Sequence, residues 1–269
     1  GASLYAFPLS PEGDEPSDET ALLVRNDTQL LFEEVRARHG ITIPHTTGTG
    51  MGTSWKYDDP GAEVEPVVEI FQGQRRSYEK VDAPYAVTEK EVEEDAARIR
   101  PDTGRTEDWV ENLFRIRTEG MVSEAWAKGY KLGVIASSDH ISTHLSYAMV
   151  YTDDTSREGI LDAIRQRHTY GATDNIILEV RMGEHFMGDE FATEVPLPVF
   201  VRATGTGVIQ RIDLLKDGEV LATISPGQET VELEFPELDF NREPHYYYVR
   251  LLQENGMIAW SSPLFVNYR

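Results

Sequence analysis

The chain has 269 residues and a formal net charge of −22, with 47 acidic against 25 basic residues. This balance excludes nucleic acid and anionic membrane surfaces as partners, because phosphate binding needs clustered Lys and Arg. There are 0 cysteines, which excludes disulfides, zinc ribbons and thiol nucleophiles, so any metal would be held by His, Asp and Glu. No apolar run reaches the roughly 18 residues of a membrane span, and we expect no signal peptide. We therefore expect a soluble protein, with no compartment assigned.

The first predicted elements are short and end in polar loops. A strand is predicted at residues 4–7 and a helix at 28–39, with Gly40 just past its end. Residues 41–45 form a second predicted strand, whose carboxyl end presents His45. The Gly-rich loop that follows is no phosphate-binding loop, because no Lys-Ser/Thr pair ends it.

The next predicted strand, residues 67–71, carries Glu69 between apolar neighbours. A buried, unpaired carboxylate is costly, so Glu69 must reach solvent, find a structural partner or bind a metal. Arg75 and Arg76 are close enough in sequence to be that partner, and either could instead hold an anionic substrate. A helix is predicted at 88–99, with its acidic residues forming a solvated face.

The most informative stretch is residues 131–152, KLGVIASSDHISTHLSYAMVYT. Its apolar run predicts a buried strand whose carboxyl end carries Asp139 and His140, with His144 four positions further on. In barrels of parallel strands, catalytic residues lie at that end, and Asp and His are good ligands for zinc and similar ions. The alternative is a capped strand end with surface histidines.

Helices are also predicted at 118–128, where apolar residues at helical spacing indicate core packing, and at 155–167, with a capping box beginning at Thr155. A strand at 146–151 lies between them. Residues 28–168 thus alternate helix and short strand, which is typical of an α/β domain with parallel strands.

The pattern changes after Thr173, where closely spaced strands are joined by hairpin turns such as Lys216-Asp217-Gly218-Glu219. Strands without any helix pattern predict a β-sandwich. We therefore expect an α/β domain over 1–172 and a β-sandwich domain over 173–269. The predicted strands are 176–182, 198–203, 209–216, 219–224, 230–235, 246–253 and 258–266.

Several stretches together resemble the uncharacterised branch of the polymerase and histidinol phosphatase (PHP) superfamily, which joins a metal-dependent domain to a C-terminal β-domain. They are IPHTTG (43–48), VEIFQG (68–73), GVIASSDHISTHLSYAMVY (133–151), AIRQRHTYGATDNIIL (163–178), FMGDE (186–190) and YYYVRLLQENGMIAWSSPLFV (246–266).

The resemblance implies a distorted (β/α) barrel with two or three Zn, Mn or Fe ions that activate water to hydrolyse a phosphate ester or another small anionic ester. It assigns metal-ligand roles to His45, Glu69, Asp139 and His140, although His144 could replace His140. It further implies that His144 or His168 donates a proton or contacts substrate, and that Arg75 holds the anion.

The superfamily opens with a His-any-His strand, to which nothing here corresponds, since the first histidine is His39. The resemblance therefore implies a partial barrel, completed by an N-terminal fragment or a second chain. A second hypothesis from another class is a non-catalytic binding or assembly module, in which the β-domain makes the contact.

Overall fold

The computed structural model describes residues 28–50, 52, 55, 64–73, 76–94, 97, 115–139, 144–236 and 243–269. The chain separates into two compact units, residues 1–40 and 41–269. The strand predicted at 4–7 lies outside the described residues. The first unit contributes helix α1, Thr28–Ala37, which matches the helix predicted there.

In the second unit the helices are short. A 3-10 turn, Thr118–Gly120, leads into helix α2, Val122–Ala127, and helix α3 spans Arg157–Arg165. The cap of α3 is Ser156 rather than the predicted Thr155, because the Ser156 hydroxyl accepts the Gly159 amide at 3.1 Å. Of the described helices, none has the length and apolar character needed to cross a membrane.

A small sheet contains the strand that carries Glu69. Its strands are β1, Val67–Gln72; β2, Arg76–Ser77; and β3, Gly133–Ser137, in the order β2-β1-β3. β1 and β3 run parallel, and every residue of β1 is buried. The predicted strand at 41–45 is irregular backbone beside β1, since Pro44 accepts the Glu69 amide at 3.1 Å.

A large sheet contains the remaining described strands and is curled and predominantly antiparallel. Its strands are β4, Tyr147–Val150; β5, Thr169–Ala172; β6, Ile177–Met182; β7, His185–Phe186; β8, Glu190–Thr193; β9, Val199–Lys216; β10, Glu219–Ile224; β11, Gln228–Phe235; β12, Pro244–Gln253; β13, Ile258–Ser261; and β14, Leu264–Tyr268. The main path of the sheet runs β4-β5-β13-β12-β9-β6-β7, with β10 and β11 on β9, and β14 between β12 and β8.

Strand β9 organises this sheet. It is 18 residues long and continuous, where two strands were predicted. One edge of β9 pairs with β6 and then β12, while its opposite edge pairs with β11 and then β10. The turn between β9 and β10 holds Asp217 and Gly218 at φ of 51° and 81°, as a two-residue hairpin turn requires.

The small sheet packs against the large one where β3 meets β5. Gly171 allows this approach, because a Cβ there would lie 2.9 Å from the Ala136 amide nitrogen. The Thr169 hydroxyl donates to the Val134 carbonyl at 3.0 Å, and the Val134 amide donates to the Ser262 hydroxyl at 3.0 Å. Side chains from β5 and from the turn between β13 and β14 therefore satisfy both backbone polar groups of Val134.

A buried ion network fixes the segment after β2 to the large sheet. The fully buried Glu79 carboxylate accepts hydrogen bonds from Tyr248, Arg250 and Trp260, each at 2.7 Å. Arg250 also donates to Asp213 at 3.0 Å. Burial and the Glu79 carboxylate raise the pKa of Tyr248 well above its usual value, so its hydroxyl remains a neutral donor.

The predicted fold class, a partial (β/α) barrel of PHP type followed by a separate β-sandwich, is wrong. The parallel pairing of β1 with β3 does not extend to β4 and β5, which pair antiparallel with each other. β5 also pairs antiparallel with β13, so one sheet continues on both sides of residue 172. Alternating helices and short strands predicted parallel pairing, but that alternation does not determine the direction in which strands pair.

Candidate functional site

Glu69 lies in the middle of β1, and its carboxylate reaches Ser137, the last residue of β3. Its side chain is buried, and its two oxygens accept hydrogen bonds from the Ser137 hydroxyl and, at 3.1 Å, from the Thr46 amide. These donors come from β3 and from the loop after His45, so the carboxylate joins both segments to β1. The described partners of Glu69 thus include a hydroxyl and an amide. Of the two arginines predicted as possible partners, Arg75 lies outside the described residues. The nearby Arg76 instead pairs with Glu91.

His45 is brought close to Glu69. Its Nδ1 lies 3.8 Å from Glu69 Oε2, which suits an ion pair when the ring is protonated but is too long for a hydrogen bond. The hydroxyls of Thr46 and Thr47 and the side-chain amide oxygen of Gln72 are buried, with no hydrogen-bond partner among the described residues. This edge therefore combines an acid, an imidazole and buried polar atoms.

The loop after β3 folds back on itself through Ser138. The Ser138 hydroxyl donates to the Ser146 carbonyl at 2.8 Å and accepts the amides of Leu145 and Ser146, each at 3.0 Å. Asp139 adopts a left-handed backbone with φ of 60°, and His144 is exposed. The loop therefore starts and ends beside the carboxyl end of β3.

Two of the predicted site residues, Arg75 and His140, lie outside the described residues. Within the described ranges, no three His, Asp or Glu side chains are grouped so as to hold a metal ion. The metal-ligand roles of His45, Glu69, Asp139 and His140 stay a prediction, as do the roles of His144 and Arg75.

His168 is engaged by a different partner. Its Nε2 lies 3.0 Å from Asp189 Oδ1, and Asp189 Oδ2 accepts the Phe186 amide at 2.7 Å. Burial raises the pKa of the Asp189 carboxyl, but the hydrogen bonds from His168 and Phe186 outweigh it and lower that pKa overall. This pair ties the start of β5 to the turn that precedes β8, and the predicted catalytic role of His168 stays untested.

Sequence reasoning missed a charged face on β6, β9 and β11. Across these strands, Glu179, Arg202 and Glu232 stand in one row, because Arg202 is the register partner of both glutamates. Arg202 lies 3.5 Å from Glu179 and 3.4 Å from Glu232. The pairing register is invisible in the sequence, although the alternation of charged and apolar residues in β11 could have indicated an exposed face.

Strand β11 is also an outer edge of the large sheet. In the part of the chain that the structure describes, its 8 residues pair with β9 alone. Val231 and Phe235 are buried, whereas Thr230, Glu232 and Glu234 are exposed. An edge of this kind presents a row of backbone N–H and C=O groups that another strand can pair with.

No family model matches the chain. Curated relatives include uncharacterised proteins of Chlamydia muridarum and Chlamydia trachomatis, each 26% identical over 180 residues, covering 55% of this chain and 29% of the relative. A further uncharacterised protein, of Chlamydia pneumoniae, is 24% identical over 258 residues, covering 88% of this chain and 40% of the relative. The chain thus spans well under half the length of these relatives.

Solved structures with partial similarity include two that each cover 34% of this chain. Fibronectin(III)-like modules of Clostridium thermocellum CbhA match with a TM-score of 0.23 and 16% identity, covering 34% of this chain and 95% of the module. CopC from Methylosinus trichosporium OB3b matches with a TM-score of 0.24 and 18% identity, covering 34% of this chain and 93% of CopC.

The resemblance to the PHP superfamily is wrong. No family model supports it, and the described fold is predominantly β rather than a (β/α) barrel. The quoted stretches are mostly strands with their turns, and such apolar strand sequences occur in many folds.

Proposed function

We propose that this chain is a non-catalytic binding module, which takes up an extended segment of a partner protein as an added strand beside β11. The observation that carries this proposal is the edge itself. β11 is 8 residues long, and within the described residues only β9 pairs with it. Strand addition to such an edge gains affinity from main-chain hydrogen bonds and specificity from alternate side chains.

The interior side of β11 supports the same proposal. Val231 and Phe235 are buried, and Leu233 packs against the core of the large sheet. Because successive side chains alternate between the two faces, an added strand would place every second residue beside this apolar row. Burial of those residues would contribute roughly 25 cal/mol for each Å² of apolar surface removed from water.

A second copy of the chain is a poor occupant of the edge. Two β11 strands paired antiparallel about Leu233 would place Glu232 of one copy directly opposite Glu234 of the other. Like charges opposed across a strand pair destabilise it, and the chain already carries a net charge of −22. The edge therefore favours a different protein as its partner.

The test is selection of random peptides on the immobilised protein, followed by hydrogen exchange with each selected peptide bound. We expect peptides to be enriched and to slow exchange at the β11 amides that face away from β9. Failure to enrich any peptide, or protection confined to other segments, would overturn the proposal. A Pro-containing peptide set serves as the control, because proline lacks the N–H that strand pairing needs.

A second candidate function is metal-dependent hydrolysis of a small anionic ester. What favours it is the 3.8 Å separation of His45 Nδ1 and Glu69 Oε2 beside the carboxyl end of a parallel strand pair. Imidazole and carboxylate are ligands for Zn, Mn and Fe, which activate bound water. Donors beyond these two would have to come from Asp139, His140 or His144.

Elemental mass spectrometry of the desalted protein tests this second candidate. We expect stoichiometric metal, which is lost in His45→Ala and Asp139→Ala while circular dichroism is unchanged. A phosphoesterase screen with the same variants would follow. Folded protein that takes up no Zn, Mn or Fe after incubation would rule the candidate out.

A further inference from the structure

We infer that the partner segment alternates basic and apolar residues, with its basic residues opposite Glu232 and Glu234. This inference rests on the proposed function, because it names the chemistry of the strand that β11 would accept. It follows from the pairing register of β6, β9 and β11, from the charges on their exposed face, and from the apolar row on their buried face.

The row through Glu232 gives the first step. It reads Glu179, Arg202, Glu232 across three neighbouring strands, with the arginine between the two acids. Side chains directly opposite on neighbouring strands have Cβ atoms about 4.5–5.5 Å apart, and opposite charges there stabilise the pair. A basic residue on an added strand would continue this alternation beyond Glu232.

The row through Glu234 gives a stronger requirement. Here the register partner of Glu234 on β9 is Phe200, and that of Phe200 on β6 is Arg181. Arg181 pairs with Glu179 at 2.6 Å. Among the described residues Glu234 takes part in no ion pair, so a cation on an added strand would be its first opposite charge.

The spacing of the partner's residues follows from the two rows. Glu232 and Glu234 are two positions apart, so their cross-strand partners are also two positions apart. The residue between them would face the interior beside Leu233. A segment that reads basic, apolar, basic therefore matches both faces of β11. A segment that alternates acidic and apolar residues would match only the apolar face, and a segment without alternation would match neither face along its whole length.

Synthetic peptides as long as β11 provide the experiment. One alternates Arg with Val, a second alternates Glu with Val, and a third contains the Arg and Val residues in two blocks. We expect the alternating Arg peptide to bind, to protect β11 amides in hydrogen exchange, and to weaken as salt rises because salt screens exposed charges. The other two peptides should bind at least about tenfold more weakly.

Charge reversal on the protein completes the design. The double variant Glu232→Lys/Glu234→Lys should lose about tenfold in affinity for the Arg peptide and gain affinity for the Glu peptide. Asp153→Lys/Glu184→Lys is the control with the same change in net charge, because Asp153 is an exposed loop residue between β4 and α3 and Glu184 is an exposed turn residue between β6 and β7. An equal loss in the control would show that net charge alone is sensed and would overturn the inference.

The two levels of the proposal fail differently. If selected peptides protect β11 but the alternating Arg peptide has no advantage over the other two, the inference is wrong and the binding module stands. If no peptide protects β11, both are wrong. If the Arg peptide binds but the double reversal leaves its affinity unchanged, the assigned pairing with Glu232 and Glu234 is wrong.

Discussion

Replacing Glu79 tests how the segment after β2 is held on the large sheet. Glu79→Ala removes a carboxylate that is fully buried and that accepts hydrogen bonds from Tyr248, Arg250 and Trp260. Among the described residues, the guanidinium of Arg250 would then keep Asp213, at 3.0 Å, as its one charged partner. Two further buried donors would lose their acceptor, and the side chain would leave a cavity.

The magnitude follows from the geometry. Each buried donor that loses its acceptor costs about 1–3 kcal/mol, and breaking a buried ion pair by removing one partner costs about 3–5 kcal/mol. Because the donors share one acceptor, their separate costs are not additive. We therefore expect Glu79→Ala to lower the free energy of unfolding by about 4 kcal/mol.

The assay is urea denaturation followed by far-UV circular dichroism. Glu79→Met, Arg250→Met and the double variant complete a cycle, in which the double variant should lose less than the sum of the singles by about 2 kcal/mol. This coupling arises because neither charge is left buried alone when both are removed. Glu219→Ala is the matched control, since its ion pair with Lys80 is at the surface and should leave stability unchanged.

A loss below about 1 kcal/mol for Glu79→Ala would refute the reasoning, because it would match an exposed pair rather than a buried one. Strict additivity in the cycle would refute it as well, since it would show that Glu79 and Arg250 do not stabilise each other in the folded protein.

Burial raises the pKa of Glu65 to about 7. The free energy of unfolding is therefore highest below pH 4.5, where this carboxyl is protonated in both the folded and the unfolded state. It falls as pH rises through 7, because the unfolded state gives up the proton more readily. Glu65→Gln should remove roughly 3 kcal/mol of this pH dependence in denaturant midpoints measured from pH 4 to 8. Gly171→Ala should cost about 1–3 kcal/mol, because the new Cβ would press on Ala136 backbone, and calorimetry would measure the lower Tm. Asp189→Asn should lower the free energy of unfolding by about 1 kcal/mol at neutral pH, because an amide pairs less strongly with His168 than a carboxylate does. This loss should shrink as pH falls through the lowered pKa of Asp189, because the parent carboxylate then becomes protonated.

Each of these predictions has a result that contradicts it. An unchanged pH profile in Glu65→Gln would place that carboxyl in contact with water. A Gly171→Ala protein as stable as the parent would show that β3 and β5 can separate at no cost. For Asp189→Asn, a loss that is constant across the acidic range would mean that the ionised carboxylate is not what stabilises the pair.

Local sequence signals predicted many elements but not how they assemble. Apolar runs predicted β3 and β6, and the N-cap of α3 was predicted one residue too early, at Thr155 instead of Ser156. β5 was missed because Thr169, Tyr170, Gly171 and Ala172 show no periodicity, and the Gly171 position is explained only by the close approach of β3. Element type depends on local pattern, whereas pairing depends on distant strands.

In the candidate site as well, local sequence signals identified single residues but not the distant residues that contact them. The rule that a buried carboxylate needs a partner applies to Glu69, yet two of its hydrogen-bond partners, Ser137 and Thr46, are 68 and 23 residues away in sequence. No role was predicted for Glu79, which lies in a polar stretch, although three large side chains from β12 and β13 donate hydrogen bonds to it. The exposed row of charges on β11 depends on a register that no local motif encodes.

By itself the sequence determined the acidic net charge, the exclusion of cysteine chemistry and the positions of most strands, because these depend on residue type and on short-range periodicity. Only the tertiary structure decided that the strands on both sides of residue 172 share one sheet, that β11 forms an outer edge, and that Glu79 and Arg250 meet in the core. The physical reason is that strand direction, register and buried pairing are set by hydrophobic burial over the whole chain, and many pairings satisfy the same local pattern.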